Sequence, residues 1–440
     1  MTDSGEELSE DARQLKIYVL QRSAASSSLY TSWLASCPFA TTIVDEYLPD
    51  WIPPDDVGLI VTHDHYRWES LACLRQVFQQ QRIPILILCD GILEYRNTWQ
   101  HQDLPDGSLF QPSLGNKLAC LGRGQARHLE TWGNTGKCEV VGLPRLDDWI
   151  SRQVAPPQLT GPFRLLVATS NQVAFDERQR AVVVQALRAL QCHFQQGAEV
   201  GGRAVEICWR LRDGMHTELG IKEDHPVDRQ PLWQVLQQVD AVITTPSTVF
   251  LESLLLERPT ALLDFQNCPQ YVPSAWTITC QSQIESVVSE LADPPRAKML
   301  FQAEVLRDQL ECQTPALPRM LELIQCMVLA GLEARQQNRR LQLPDRILAA
   351  SARENSTAPS LNLAELYPGN LAFRHDDGRH LQIELSAALS RLGSLPLELA
   401  DKNRHIAQLK KTISRLALRN QELHQRVTSL REGLQERGQR

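Results

Sequence analysis

Four clusters of polar side chains in this chain have the types and spacing to do chemistry. The first is Ser247-Thr248, set between a short β-rich run, Asp240-Ala241-Val242-Ile243-Thr244-Thr245, and a helix-length apolar run, 249–257. A helix start at the carboxyl end of a parallel strand presents free backbone N–H groups and the positive end of the helix dipole, which suits a phosphate. The plainer use of Ser247 is as a helix cap. Glu252 is the single acid between that cap and Glu257, and among leucines a carboxylate needs a partner. The second cluster, Trp209-Arg210-Leu211-Arg212, ends another strand, and either arginine can hold a phosphate bidentately. Thr169-Ser170-Asn171-Gln172 is a polar turn after an earlier strand and can add phosphate contacts. In the third, Asp90-Gly91-Ile92-Leu93-Glu94-Tyr95-Arg96, the glycine permits a sharp exit from a strand, and an acid, a phenol and a guanidinium follow. The fourth is His63-Asp64-His65. Two histidines two apart can chelate, but a metal site needs three or four ligands and no third has matching spacing, so no metal is expected.

The run 231–265 resembles the second-domain signature of GT-B-fold sugar enzymes, in particular the CDP-glycerol glycerophosphotransferases, the non-hydrolysing UDP-GlcNAc 2-epimerases and related surface-polysaccharide enzymes. Asp240 before the strand, Ser247-Thr248 at the turn, Glu252 early in the helix and Arg258-Pro259 before the next strand hold the places of that pattern. The resemblance implies that Ser247 and Thr248 meet a nucleotide diphosphate and Glu252 the ribose. Gly142-Leu143-Pro144-Arg145-Leu146-Asp147 is similar to the G-x-P-R-x-D element of the glycerophosphotransferases, and like that element it precedes a proline-rich linker. It implies phosphate contact for Arg145, with Asp147 bracing it or capping the next helix. The loop from Asp90 is similar to the family's acceptor-facing loop. It implies Asp90 or Glu94 as general base toward an acceptor hydroxyl, with Arg96 as anion holder. His63 would lie at the cleft edge and joins the catalytic candidates. The chain departs from the family where Arg212-Asp213 replace the usual His-Pro, and Arg210, Arg212 and Thr169 are left as phosphate contacts. With no DxD motif at a strand end, positive groups and the helix start must stabilise a departing diphosphate without a metal.

Elements able to position these residues alternate along the chain. Strands are expected at 16–20, 41–47, 57–62, 83–89, 117–121 and 138–141, with helices at 29–36 and 68–80. After a linker at 151–162 the alternation resumes. Strands follow at 163–169, 204–211, 240–245, 260–265 and 277–279, and helices at 176–195, 232–239, 249–257, 281–291, 297–311 and 316–340. Strands apolar throughout and separated by helices indicate parallel sheets covered on both faces. The expected fold class is α/β, two Rossmann-like domains facing a cleft (GT-B), plus a C-terminal coiled-coil helix. The expected divisions are a disordered tail (1–13), an acceptor domain (14–150), the linker, a nucleotide-donor domain with a crossover helix (163–340), a loose linker (341–396) and a coiled coil (397–437).

That last element rests on Ile406, Leu409, Ile413, Leu416, Asn420, Leu423, Val427, Leu430 and Leu434, which alternate three and four apart as a heptad seam. It implies a homo- or hetero-oligomer. The net charge of -7 and the lack of a basic stripe exclude a nucleic-acid binder, and no run reaches the roughly 18 apolar residues of a membrane span. The 11 cysteines are scattered without a CxxC pair, which fits a reduced cytoplasmic protein, either free or peripheral at the inner membrane. The expected function is a metal-independent transferase in surface-polysaccharide biosynthesis. It would use a nucleotide-sugar or CDP-alditol as donor, a glycan or lipid-linked molecule as acceptor, and no cofactor. The alternatives are a non-hydrolysing UDP-sugar 2-epimerase and a non-catalytic GT-B-like scaffold.

Overall fold

The structure is a computed structural model that describes residues 9–21, 27–44, 51–63, 65, 68–100, 110–150, 161–195, 199–221 and 230–348, with scattered helical positions between 402 and 419. The coiled-coil expectation and most of the expected linker at 151–162 lie outside the described residues. Both halves of the body belong to one compact unit, 1–361.

The first half runs α1 (Glu10–Gln14), β1 (Lys16–Leu20), α2 (Ser27–Leu34), β2 (Ala40–Val44), β3 (Val57–Thr62), α3 (Trp68–Gln80), β4 (Ile85–Leu88), α4 (Tyr95–Trp99), β5 (Lys117–Cys120), α5 (Arg123–Leu129), β6 (Cys138–Val140) and α6 (Asp147–Ile150). Its six strands are parallel in the order β2-β1-β3-β4-β5-β6. The second half runs β7 (Phe163–Ala168), α7 (Glu177–Gln195), β8 (Glu199–Val200), β9 (Arg203–Arg210), α8 (Met215–Leu219), α9 (Leu232–Gln238), β10 (Ala241–Thr244), α10 (Thr248–Leu255), β11 (Thr260–Leu263), β12 (Trp276–Ile278), α11 (Ile284–Ala292), α12 (Arg296–Gln309) and α13 (Ala316–Gln336). Its sheet order is β12-β11-β10-β7-β9-β8, parallel but for the short β8 hairpin. In each half the chain first adds a strand on one side of the opening strand and then builds outward on the other. This puts switch points between β1 and β3 and between β7 and β10, where α/β sheets bind ligands. The protein is thus α/β with two Rossmann-like halves.

Every residue of β3, β4, β10 and β11 is buried, as strands covered on both faces require. The crossover helix α13 belongs by sequence to the second half but lies on the first sheet, burying Met320, Leu323, Ile324, Met327 and Val328 against Ile17, Val19, Leu59 and Val61. At about 1.5–3 kcal/mol for each buried side chain, that helix stays with the first half. Asp147 fixes its start, the carboxylate accepting the N–H groups of Ala316 and Leu317 at 2.8 Å each. Gly122 packs so closely on the end of α12 that a Cβ there would stand 2.3 Å from the Gln309 carbonyl carbon.

The first half starts earlier and ends later than the sequence pattern indicates. Glu10–Gln14 is helical with Ala12 buried, so the expected tail is structured from residue 10 onward. Residues 341–348, expected to be loose, are bound to the first half. Lys117 and Glu139 form a fully buried ion pair at 2.7 Å, Lys117 donates to the Pro344 carbonyl, and Glu139 accepts the N–H groups of Ile347 and Leu348. Composition does not show this because the anchoring charges come from two strands far away in sequence. Glu139→Ala removes the counter-charge of a buried lysine, and we expect a loss of about 3–5 kcal/mol in urea unfolding. Unchanged stability would contradict the anchoring role.

Candidate functional site

The site is built where β7 and β10 separate. Thr245 and Thr169, both buried, hold the two strand ends together: Ser170 N–H donates to Thr245 Oγ1 at 2.9 Å, and Arg212 N–H donates to Thr169 Oγ1 at 2.8 Å. Ser170, Thr245 and Arg212 are therefore joined through one hydrogen-bonded turn. The α10 helix starts beside it. Ser247 occupies the cap position in an extended conformation, yet its hydroxyl makes no cap bond and meets Thr244 Oγ1 at 3.2 Å instead. The first turn carries no acid, so the positive helix end is not offset from within. Ser247 and Thr248 are half-buried. The helix start faces the first half, since a Cβ on Gly91 would lie 3.7 Å from Thr248 Cγ2.

Two of the cationic candidates differ in their engagement. Arg210 donates to the Gln230 carbonyl at 2.9 Å and serves the fold. The half-buried Arg212 side chain has no protein partner among the described residues, which leaves it available to an anion. Arg145 and Glu252, expected at phosphate and ribose respectively, meet each other as an ion pair between the halves. Glu252 is buried and Arg145 partly exposed, so the acid in the apolar helix finds its counter-charge 107 residues away in sequence. Asp240 and Arg258, which mark the resemblance, are structural. Asp240 pairs with Arg203 at 2.7 Å and accepts Arg164 N–H, while buried Arg258 donates to the Leu236 and Gln237 carbonyls at the end of α9.

The first-half segment 91–99 lies over the carboxyl ends of β10 and β11. Arg96, 2% exposed, pairs with Glu94 and borders a gap of about 10 Å³ shared with Thr245, Leu263, Asp264 and Gln266. Glu94 forms a backbone bridge with Gln270. Tyr271 of the second half makes ring contacts with Tyr95, His128 and Trp132, and the Trp99 indole donates to its hydroxyl. No sequence signal pointed to this aromatic seam, because its members are spread from residue 95 to 271. Asp90 remains exposed. His63 is held within the first half, its Nδ1 2.6 Å from the Tyr30 hydroxyl. Asp64 lies outside the described residues, and among those described no cluster of three metal-ligating side chains occurs. A groove of about 980 Å³ beside α7 includes none of these groups, and its Arg180 is already paired with Asp213 and Glu218.

No family model matches this chain, and no curated protein matches it. Among solved structures it is similar to S. aureus MnaA, a co-structure with UDP, at 12% identity and a TM-score of 0.49 over 71% of this chain and 96% of that one. It is similar also to the wall teichoic acid polymerase TagF, at 11% identity and 0.48 over 73% of this chain and 90% of that one. A third is the UDP-GlcNAc 2-epimerase of Methanocaldococcus jannaschii, at 12% identity and 0.47 over 71% and 99%.

Burial raises the pKa of Glu94 above its ordinary 4.5, with Arg96 pulling the other way. The folded chain thus holds that proton more tightly than the unfolded chain does. The stability Glu94 contributes is present at low pH and lost as pH rises from 4.5 through its folded pKa. In denaturation measured across a pH series, Glu94→Gln should flatten this part of the profile. Identical slopes in variant and wild type would show that the carboxyl is not so perturbed.

Proposed function

We propose that this chain is a metal-independent transferase that moves a glycosyl or phosphoalditol group from a nucleotide-activated donor, with surface-polysaccharide synthesis as its setting. The observation that carries the reading is the α10 start, which has no side-chain cap, lies at a switch point, faces the opposite half and follows a strand-end turn that also holds the backbone of Arg212. Amide dipoles and Arg212 take up the charge that develops on a departing diphosphate. Asp90 is the acid left open to solvent and serves as general base toward an acceptor hydroxyl, which a carboxylate within reach can deprotonate. Glu94, engaged by Arg96, positions that arginine. A 2-epimerase requires acids for both elimination steps, and the other acids beside this loop are engaged, Glu94 by Arg96 and Asp264 by the Gln266 and Cys268 N–H groups.

A second reading, a non-catalytic scaffold, is favoured by one feature. Arg212-Asp213, at the end of β9, stand where the family the chain resembles usually has His-Pro. Calorimetric titration of the full chain with UDP, CDP and GDP separates the readings. We expect one of them to bind, and Arg212→Met to weaken it roughly tenfold or more while leaving the melting temperature unchanged. Failure of all three to bind supports the scaffold. If one binds, we expect Asp90→Asn to leave its affinity intact and to reduce transfer, about 10²-fold or more for loss of a general base.

A further inference from the structure

The heptad register that begins at Ile406 defines a second surface, separate from the site between the halves. Its a positions are isoleucine, valine or leucine apart from Asn420, and each d position from 409 to 430 is leucine. β-Branched residues at a, leucine at d and one asparagine at a are the preferences of a parallel two-stranded coil. Between 402 and 419 every described position is helical and exposed, including the a-position Ile406 at 48% and its flanking Lys410 and Arg419. The positions beside such a seam, e and g, decide what it pairs with. Here they carry His405, Lys410, Arg419, His424, Arg426 and Arg431, with small residues at the rest and no acid. Glu422, Glu432 and Glu436 fall at c and f, away from the seam.

In a parallel pair of identical chains, Arg426 faces Arg431 and Arg419 faces His424. Reversing one helix changes which of these residues meet but not their sign. We infer that the favoured partner of this seam is a helix of a different protein, parallel to it, with an apolar a/d seam of its own and glutamate or aspartate at e and g. A polar residue of that helix stands opposite Asn420, because a lone asparagine at a costs stability and serves to fix register. Charge complementarity then turns each flanking contact from repulsion to attraction. A basic amphipathic helix can also lie on an anionic membrane, but that use calls for a broad apolar face. This apolar stripe is confined to a and d and is interrupted by Asn420.

The test uses the full chain and two synthetic peptides that copy the a and d residues of 402–437, one with Glu and the other with Lys at every e and g position. In fluorescence anisotropy we expect the chain to bind the Glu peptide about tenfold or more tightly than the Lys peptide, a preference that shrinks as salt is added. A variant carrying Lys410→Glu, Arg419→Glu, Arg426→Glu and Arg431→Glu should reverse the preference. In sedimentation equilibrium that variant should pair with the wild type more tightly than the wild type pairs with itself. Valine in place of the peptide's asparagine should weaken binding, and Asn420→Val in the chain should restore it. Equal affinity for the two peptides, or wild-type self-association as tight as its pairing with the variant, overturns the acidic partner. A preference for the Glu peptide that ignores the valine exchange overturns the paired seam and leaves charge attraction alone. Binding to phosphatidylserine vesicles without binding to either peptide assigns the face to a membrane instead, and failure to bind any of these probes overturns the docking surface.

Discussion

A helix that begins at a sheet's switch point without a cap on its amides depends on something outside itself. The first amides of any helix have no partner within it, and a serine at the cap position usually serves them. Here Ser247 turns its hydroxyl to Thr244. The helix that follows is among the most apolar in the chain, with Phe250, Leu251 and Leu254 buried, so packing and not capping holds it in place. The turn Ser170–Thr245 and Thr169–Arg212 fixes the strand ends around it. The architecture of the second half sets that positive helix end at the switch point, on the side of the first half.

The halves meet through charges and rings, with the Arg127–Asp308 pair at 2.6 Å and the packing of Gly122 on the end of α12 as further contacts. Arg145 with Glu252 makes one tie, and the rings around Tyr271 make another. The crossover helix differs in kind. Five large apolar side chains commit it to the first sheet, an interaction of several kcal/mol that a single ligand does not reverse. The Arg145–Glu252 pair, by contrast, is held by charge, with the acid buried and the arginine partly exposed.

Much of the fold was legible in the sequence because parallel strands are short, apolar and separated by helix-length segments. Val57–Thr62 and Trp68–Gln80 have the bounds their periodicity indicates, and most other elements differ by a residue or two at the ends. The β8 hairpin and the short helices α4 and α5 were not visible, since a few residues carry too little pattern to stand out. The site was legible as a set of residue types but not as a set of partners. Glu252 announced its need for a counter-charge by its apolar surroundings, and nothing local could name Arg145. Asp240 and Arg258 carried the resemblance and proved to brace strands and a helix end. Conversely, the availability of Arg212 follows only from which other groups lie within reach in three dimensions.

In the proposed function the α10 amides seat an anionic group. Amide hydrogen exchange at Thr248 and Val249, read with and without a bound nucleoside diphosphate, tests it most directly. We expect these amides to exchange markedly more slowly when the diphosphate is present. A diphosphate that binds the chain while leaving both amides exchanging as before would contradict it.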